Sequence, residues 1–584
     1  MLIIYHEKDR IFRNEAIKLR LSGLDWVIIA GFVLSSLVLG IYLSRRASAS
    51  MGDFFLSGRS LPWWLAGTSM VATSFSCDTP LYITSIVRSG GVYSNWQWWS
   101  FLFGGIFAMA FLARLWRRSG VLTDVELIEL RYSGKAASVL RGVKAVYFSC
   151  IIHTIIKAQV ILAMAKIVEV TVGWDKWLSI VVVSAVPLTY SVAAGLWGVV
   201  ITDFLQFLIA MFGALALAVI SVKRVGGMGA LKDALPPDVL AFVPPGEFTG
   251  LAFMTFLGYI GLSWWSKYSS DGGGVVVQRI SSCKTEGHGY AATLFFNIAN
   301  YGLRTWPWVV AALASIVLYP AATDGDAVYA IMVVDLLPSG IRGLMLASFL
   351  AAFMSTLSTY LNLSSAYFVN DFYAPYVARG RTQKHYVRVS RAMTIVLSVL
   401  TAVATYYAES IEGVFTFLIA FGSGTGLVYI LRWFWWRINA WSEISAMATS
   451  TIMAVVMYRV FPGEPYVVKL LSIISVSTAV WLTVTFTTPR VEREKLIAFV
   501  RRIRPSGPGW GKIRREAGEA EAIRYEPMLG AFIEWALGSV LVAGLTIGTG
   551  KALLGSPFTA ALWLGVAAMS SLGLYMRLKP ERQQ

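Results

Sequence analysis

The chain has 584 residues, of which 56% are hydrophobic and only 14% are charged, and its mean hydropathy is +0.63. A soluble protein of this length would carry about 25% charged residues, so the composition excludes an ordinary soluble protein. The net charge of +17 invites a nucleic-acid interpretation, but the Lys and Arg residues lie in loops between apolar runs, where orientation in a membrane explains them.

Apolar runs of about 20 residues recur from end to end and predict an all-α polytopic membrane protein. Residues 1–22 are charged and lack the cleavage site of a signal peptide, so we predict a surface segment there. The three cysteines form no CxxC pair and predict neither a disulfide framework nor a metal site. Fifteen spans are predicted, at approximately 24–43, 62–87, 97–116, 138–170, 177–194, 200–222, 249–278, 288–319, 340–370, 387–407, 412–432, 442–460, 468–487, 529–549 and 557–577.

Basic residues in the loops predict the orientation of these spans. Arg45 and Arg46 follow the first span, Arg117 and Arg118 follow the third, and the loop 488–528 is densely basic. If the spans alternate, these loops share one side, which should be cytoplasmic. The prediction is a multi-pass protein of the cell membrane with its N-terminus outside and its C-terminus inside. We expect the last of these loops to be solvated, with binding of a partner or of anionic lipid headgroups as the alternative.

Two spans are predicted to be broken in the middle. The second contains the polar run TSFSCDT at 73–79, closed by Pro80, which lacks a backbone donor and disfavours helix in the residue before it. The seventh contains Asp271 and three following glycines, each of which costs roughly 1 kcal/mol in a helix interior relative to Ala. Close helix packing would explain one such break. Two breaks five spans apart favour the inverted repeat of a transporter, with its site at the breaks.

The ninth span carries a stripe of hydroxyl groups. Ala352, Ser355, Ser358 and Thr359 repeat at three- and four-residue steps and therefore share one helical face. The stripe has two explanations, which are hydrogen bonding between closely packed helices and a set of oxygen ligands for a small cation. The two broken spans favour the cation.

Five stretches, taken in order, resemble the sodium:solute symporter family, which includes the proline and sialic acid symporters and the sodium–glucose cotransporters. They are DFFLSGRSLPWWLAGTSMVATSFS at 53–76, VLTDVELIELRYS at 121–133, AAGLWGVVITDFLQF at 193–207, VVVQRISSCKTE at 275–286 and LAAFMSTLSTYLNLSSAYFVNDFY at 350–373. The resemblance implies a LeuT-like core of five plus five inverted helices at 62–432, within a transporter domain at 23–440. One extra helix precedes the core, and about four follow it, so that the C-terminal helices occupy 441–584.

The resemblance also implies a main sodium site at the first break. Carried over by motif, its ligands are three backbone carbonyls and two hydroxyls. These are the carbonyls of Ala72, Phe75 and Ala352 and the hydroxyls of Ser355 and Thr356.

A second sodium site, which occurs in some relatives, is implied by an acid on the sixth span. It would consist of the carboxylate of Asp203 and the hydroxyls of Ser355, Ser358 and Thr359. Asp203 lies near the end of its span, so a water-facing position on the exit path is the alternative. The coupling ion is therefore sodium, as one or two ions, and no other metal is expected.

The substrate is predicted to lie near the two breaks. The candidate residues are Ser76, Asp78, Thr79, Gln97, Lys157, Tyr268, Ser270 and Asp271. Lys157 and Arg304 lie within spans, where an unpaired charge costs roughly 2.5–3.5 kcal/mol, so each either pairs with Asp78 or Asp271 or meets a substrate carboxylate. Lys267 and Asp271 also have the spacing of a helical ion pair.

The predicted function is import of a small polar solute, an organic anion or a zwitterion, by sodium-coupled symport and alternating access. We expect a monomer in the lipid bilayer that does not bind nucleic acid. A transporter-like sensor is the alternative, although no soluble domain long enough to signal is evident. A membrane enzyme is disfavoured, because His153 has no Ser–Asp or HExxH partner near it.

Overall fold

The computed structural model describes residues 21–44, 59–121, 123–191, 196–247, 250–518 and 527–578, without the side chains at 196–206 and at some positions in 33–44 and 186–191. Most of the predicted surface segment, and Arg45 and Arg46, lie outside the described residues. Within them the protein is helical apart from a single β-bridge between Leu61 and Cys283. The all-α prediction is therefore confirmed.

The helices of the first half surround the first break. They are α1 (Gly23–Ser44), α2 (Trp63–Thr73), α3 (Asp78–Gly90), α4 (Val92–Ser119), α5 (Gly134–Val172), α6 (Lys176–Ser191) and α7 (Leu196–Val225). Short helices at Leu127–Arg131 and Met228–Ala234 lie in the connections.

The helices of the second half begin with the second break. They are α8 (251–266), α9 (Gly274–Ser281), α10 (Glu286–Leu318), α11 (Gly325–Leu336), α12 (Ile341–Val377), α13 (Gln383–Tyr406), α14 (Ile411–Gly422) and α15 (Gly426–Phe434). The C-terminal helices are α16 (Ala440–Arg459), α17 (Tyr466–Thr487), α18 (Arg493–Ile503), α19 (Gly511–Glu516), α20 (Met528–Leu554) and α21 (Pro557–Leu578).

Among the described residues, ten helices are long and apolar enough to cross a membrane, and α14 with α15, bent by 44°, would make an eleventh. The two broken spans divide at their breaks, and the apolar stretches Gly23–Phe32 and Lys176–Ala185 are shorter than a full span. A multi-pass membrane protein is thus confirmed, whereas the number of fifteen spans stays a prediction.

Both predicted breaks are present. At the first, α2 ends at Thr73 and α3 begins at Asp78, so that Pro80 lies in the first turn, where its missing donor costs little. At the second, α8 ends at Ser266, and Gly272 adopts a φ of +95°, a conformation that few other residues tolerate. The broken elements α2, α3 and α8 pack within the bundle, where neighbouring side chains can satisfy the freed backbone groups.

The basic segment after α17 is packed on the protein in part. The apolar side of α18 buries Phe499 and Ile503, and the fully buried Trp510 donates its indole N–H to the carbonyl of Trp433 at 2.7 Å. The expectation of a solvated loop is therefore wrong for this part, because apolar residues between the charges form the buried side of an amphipathic helix. Residues 519–526 lie outside the described residues.

Candidate functional site

The first break frees a cluster of backbone carbonyls. The chain tightens after α2, where the Ser74 amide donates to the carbonyl of Met70 and the Phe75 amide donates to the carbonyl of Ala72, each at 3.1 Å. A carbonyl oxygen has two lone pairs, so that of Ala72 retains one for a second partner. The break therefore places the carbonyls of Ala72 and Phe75, two predicted sodium ligands, at the same turn.

Arg304 of α10 binds the carbonyl of the residue that immediately precedes each member of this pair. Its guanidinium donates to the carbonyl of Val71 at 2.8 Å and to that of Ser74 at 3.3 Å. It also lies over the rings of Phe75 and Trp308, which stack with their centroids 5.7 Å apart. Its hydrogen-bond partners are backbone carbonyls, which the sequence does not reveal, while the carboxylate of Asp78 lies within electrostatic range. Whether this arginine also meets the substrate stays a prediction.

The hydroxyl stripe of α12 belongs to the same region, since α12 packs against both α2 and α7. The hydroxyl of Thr356 is buried and has no hydrogen-bond partner in the part of the chain that the structure describes. Ser358 donates to the carbonyl of Ser355 at 3.0 Å, which leaves its oxygen lone pairs available. Ala352 is buried and Thr359 is half-buried, while the side chain of Asp203 lies outside the described residues.

Polar side chains continue from the first break along α3. The carboxylate of Asp78 accepts a hydrogen bond from Gln159 of α5 at 2.8 Å. One turn beyond Asp78 on α3, the hydroxyl of Tyr82 donates to Gln97, a predicted substrate residue, at 3.0 Å. Gln97 in turn donates to the carboxylate of Glu412 at 3.3 Å. The two hydrogen-bonded groups connect α3 with α4, α5 and α14.

Two further predicted residues lie at the first break itself. Ser76 is buried and, within the described ranges, its hydroxyl has no partner, and Thr79 in the first turn of α3 is also buried. Their hydroxyls supply donors and acceptors beside Asp78, and this cluster is the part of the predicted substrate site that the structure brings together most closely.

The second break differs from its prediction, because Asp271 is occupied by an internal ion pair. Its carboxylate lies 2.5 Å from the guanidinium of Arg432, which also contacts Glu443 at 3.1 Å. Lys144 lies 3.8 Å from the same glutamate. Asp271 therefore belongs to a buried network of alternating charges, and a role in substrate binding is not supported.

The neighbours of Asp271 are also engaged. The hydroxyl of Ser270 donates to the carbonyl of Gly426 at 2.8 Å, which explains its burial without a substrate. The expected pair between Lys267 and Asp271 is absent from the described contacts; the ammonium of Lys267 lies 4.3 Å from the ring centroid of Phe101 instead. Of the residues predicted at this break, Tyr268 is half-buried, and its role in binding the solute stays a prediction.

The remaining predicted cation, Lys157, is fully buried in α5. One turn before it, the imidazole of His153 lies 3.0 Å from the hydroxyl of Ser364. The ammonium of Lys157 has no hydrogen-bond partner within the described ranges.

Several site residues are not predicted from the sequence. Glu412 and Gln159 carry no local signal, because each lies in a helix far along the chain from the break. Arg432 lies in the stretch LRWFWWR, where an arginine reads as a residue of a loop near the end of a span. Only the pairing of helices reveals these contacts.

Comparison with known proteins adds sequence relatives to this geometry. A model of the sodium:solute symporter family matches residues 54–452. The Danio rerio sodium/glucose cotransporter 4 is 27% identical over 480 residues, which cover 72% of this chain and 69% of that protein. The Vibrio parahaemolyticus sodium/glucose cotransporter is 24% identical over 485 residues, covering 77% of this chain and 88% of that protein. For the Homo sapiens sodium/glucose cotransporter 4 the identity is 26%, and the match covers 65% of this chain and only 60% of its length.

A solved structure shares the fold. The substrate-bound, outward-open state of a Na⁺-coupled sialic acid symporter superimposes with a TM-score of 0.65 over 81% of this chain and 99% of that chain, at 18% sequence identity. The agreement supports the inverted-repeat architecture predicted from the two breaks.

Proposed function

This chain belongs to the sodium:solute symporter family and is a sodium-coupled symporter, and from that premise we propose that its ion and its solute bind at the first helix break. The solute is a small polar molecule, and we take it to be an organic anion or a zwitterion. The protein imports it by alternating access, as a monomer in the cell membrane, with the N-terminus outside and the C-terminus in the cytoplasm.

The main sodium site uses the carbonyls of Ala72, Phe75 and Ala352 together with the hydroxyls of Ser355 and Thr356. One observation carries this assignment: the buried Thr356 hydroxyl lacks a protein partner within the described ranges, on a helix that packs against α2, which ends at the break. A buried polar group without a partner is costly. A sodium ion would satisfy the hydroxyl and the carbonyls at once.

A second sodium ion would bind between α7 and α12. Its ligands are the carboxylate of Asp203 and the hydroxyls of Ser355, Ser358 and Thr359. Contact between these two helices supports the proposal, as does the hydroxyl of Ser358, whose lone pairs are free to bind a cation. Two ions would double the electrochemical driving force on each solute molecule.

The solute would lie on the outer side of the first break, against Ser76, Asp78 and Thr79. Gln97 with its partner Glu412 would lie above it and Tyr268 beside it, while Lys157 would approach from α5. The two hydrogen-bonded groups at Asp78 and at Gln97 support this position, because they offer a concentrated set of donors and acceptors within an apolar bundle.

The main site is tested by replacing both hydroxyls, Ser355→Ala with Thr356→Ala, in purified protein. We expect sodium to lose its ability to raise the melting temperature, since a ligand that binds only the folded state stabilises it. The matched control is Ser365→Ala on the same helix, whose hydroxyl donates to the carbonyl of Ser390 at 2.9 Å. Sodium-dependent stabilisation that survives in the double variant would refute this ligand set.

A further inference from the structure

Lys157 places a positive charge in the middle of the bundle without an opposite charge beside it. The residue is fully buried, and across the described ranges its ammonium has no hydrogen bond or ion pair. Charged residues within a membrane normally pair with one another or face a pathway. The other buried cations of the core have partners, namely the backbone carbonyls for Arg304 and the carboxylates for Arg432.

The candidate acid on α3, Asp78, has another partner on α5. The carboxylate of Asp78 is bound by Gln159, which follows Lys157 by two residues. Two residues on an α-helix are about 200° apart around the axis, so these side chains leave α5 on opposite faces. His153, one turn earlier on the same face as Lys157, contacts Ser364 and the ring of Tyr360.

Three contacts fix how this face of α5 is aligned with α12. The hydroxyl of Tyr376 donates to the carbonyl of Ser138, Arg141 donates to Asp371 at 2.8 Å, and His153 contacts Ser364 at 3.0 Å. Residue numbers rise along α5 as they fall along α12, so the two helices run antiparallel. The alignment is continuous over about four turns.

Extending this alignment by one turn places Lys157 level with Tyr360. Thr356 lies one further turn along the same face of α12, since residues four apart are neighbours on a helix. On this alignment the ammonium and the hydroxyl, neither of which has a hydrogen-bond partner in the described residues, belong to the same stretch of the contact between α5 and α12. Thr356 is a proposed ligand of the main sodium ion.

We propose that Lys157 opposes the binding of sodium until a carboxylate of the solute lies between the ammonium and the ion. This inference rests on the proposed sodium site and names the class of solute, an organic anion or a zwitterion with a carboxylate. One carboxylate oxygen accepts from Lys157, and the other approaches the sodium ion, because an ionised carboxylate is an acceptor with two oxygens. A neutral solute leaves the two positive charges facing each other.

The arrangement accounts for obligatory coupling. Two positive charges that share a site with little water repel each other more strongly than they would in bulk water. Sodium alone therefore binds weakly, and the carboxylate alone lacks half of its counter-charge. When both are bound, the carboxylate offsets the repulsion between sodium and Lys157, and sodium supplies a second positive charge to the carboxylate.

The test measures sodium affinity in purified protein with and without a carboxylate. Sodium chloride replaces choline chloride at constant ionic strength, and the melting temperature reports binding. The probes are acetate, pyruvate, succinate and proline, with glucose as the neutral comparison. In the unchanged protein, at least one carboxylate should lower the apparent sodium dissociation constant about tenfold or more, whereas glucose should leave it unchanged.

The variants are Lys157→Met, Lys157→Gln and Lys157→Arg. The first two remove the charge and should bind sodium alone about tenfold or more tightly, with no further effect of any carboxylate. Arginine keeps a permanent charge and should preserve weak sodium binding. Two uncharged variants are used so that a packing defect in one does not decide the outcome.

Three results would overturn the inference: unchanged sodium affinity in both uncharged variants, tightening by glucose as strong as that by any carboxylate, or no effect of any carboxylate on the unchanged protein. Sodium-dependent stabilisation that survives Ser355→Ala with Thr356→Ala would instead refute the sodium site, which distinguishes the two failures.

Discussion

The carboxylate of Asp271, in the second break, lies 2.5 Å from the guanidinium of Arg432 at the end of α15, and both side chains are at most 3% exposed. Arg432 also contacts Glu443, whose carboxylate accepts from the hydroxyl of Tyr132 at 2.6 Å. The backbone carbonyl of Asp271 accepts from the indole of Trp116 at 2.7 Å. The break between α8 and α9 is thereby attached to α4, α15 and α16.

Removing one partner of this network should destabilise the protein strongly. We expect Arg432→Met to lower the free energy of unfolding by about 3–5 kcal/mol, because it leaves buried carboxylates uncompensated. Adding Asp271→Asn should recover part of the loss. Thermal denaturation of the purified variants checks both outcomes. The control is Arg493→Met, which breaks the exposed pair with Glu516 and should cost less than about 1 kcal/mol. Equal losses in the two single variants would contradict the role given to the network.

The sequence predicts both helix breaks because their causes are local. Pro80 and the glycines after Asp271 prevent a continuous helix wherever the chain is folded. The hydroxyl stripe of α12 is likewise visible, since a helical face follows from spacing alone. These features account for the correct prediction of the fold.

The partners of the charged residues are not predictable in the same way. Asp271 was expected to face the solute or Lys267, but its partner Arg432 lies 161 residues along the chain. The hydrogen bonds of Arg304 go to backbone carbonyls, which the sequence does not predict, and the carboxylate of Asp78 interacts with it electrostatically. Each choice depends on which helices pack together, and a single sequence carries no sign of that pairing.

The guanidinium of Arg304 should support the sodium site through the backbone. It donates to the carbonyls of Val71 and Ser74, which immediately precede the proposed ligands Ala72 and Phe75. We expect Arg304→Met to weaken sodium binding about tenfold, because the unsupported turn no longer holds its carbonyls in place. Lysine cannot donate to two carbonyls with the same fixed geometry, so Arg304→Lys should restore only part of the affinity.

The control for this prediction is another guanidinium that donates to carbonyls. Arg88 donates to the carbonyls of Ser315, Tyr319 and Ala322 at the end of α10, away from the break. Arg88→Met should lower the melting temperature and leave the sodium dissociation constant unchanged. If both variants shift sodium affinity equally, the effect belongs to general destabilisation and not to the break.

The number of coupled ions should depend on the hydroxyl pair of α12. We expect Asp203→Asn with Ser358→Ala to lower the uptake ratio from two sodium ions per solute to one, because the proposed second site loses its charge and one hydroxyl. The measurement is parallel uptake of radioactive sodium and solute into proteoliposomes. Sodium dependence itself should persist, since Ser355 and Thr356 are intact. A ratio that stays unchanged would rule out the second site.

The close packing of α14 against the second break leaves no room for a side chain at Gly422. A methyl group added at Gly422 would lie 2.7 Å from both the backbone nitrogen and the Cβ of Tyr268, a separation that real contacts do not show. We expect Gly422→Ala to push the break away from α14, lowering the melting temperature and sharply reducing sodium-driven uptake. Gly565→Ala in α21 is the matched control, because nothing lies within 4 Å of the added methyl group. There alanine should be neutral or stabilising by up to about 1 kcal/mol, as expected from its higher helix propensity. Normal uptake by Gly422→Ala would show that α14 and the second break separate freely during the transport cycle, which the packing at Tyr268 argues against.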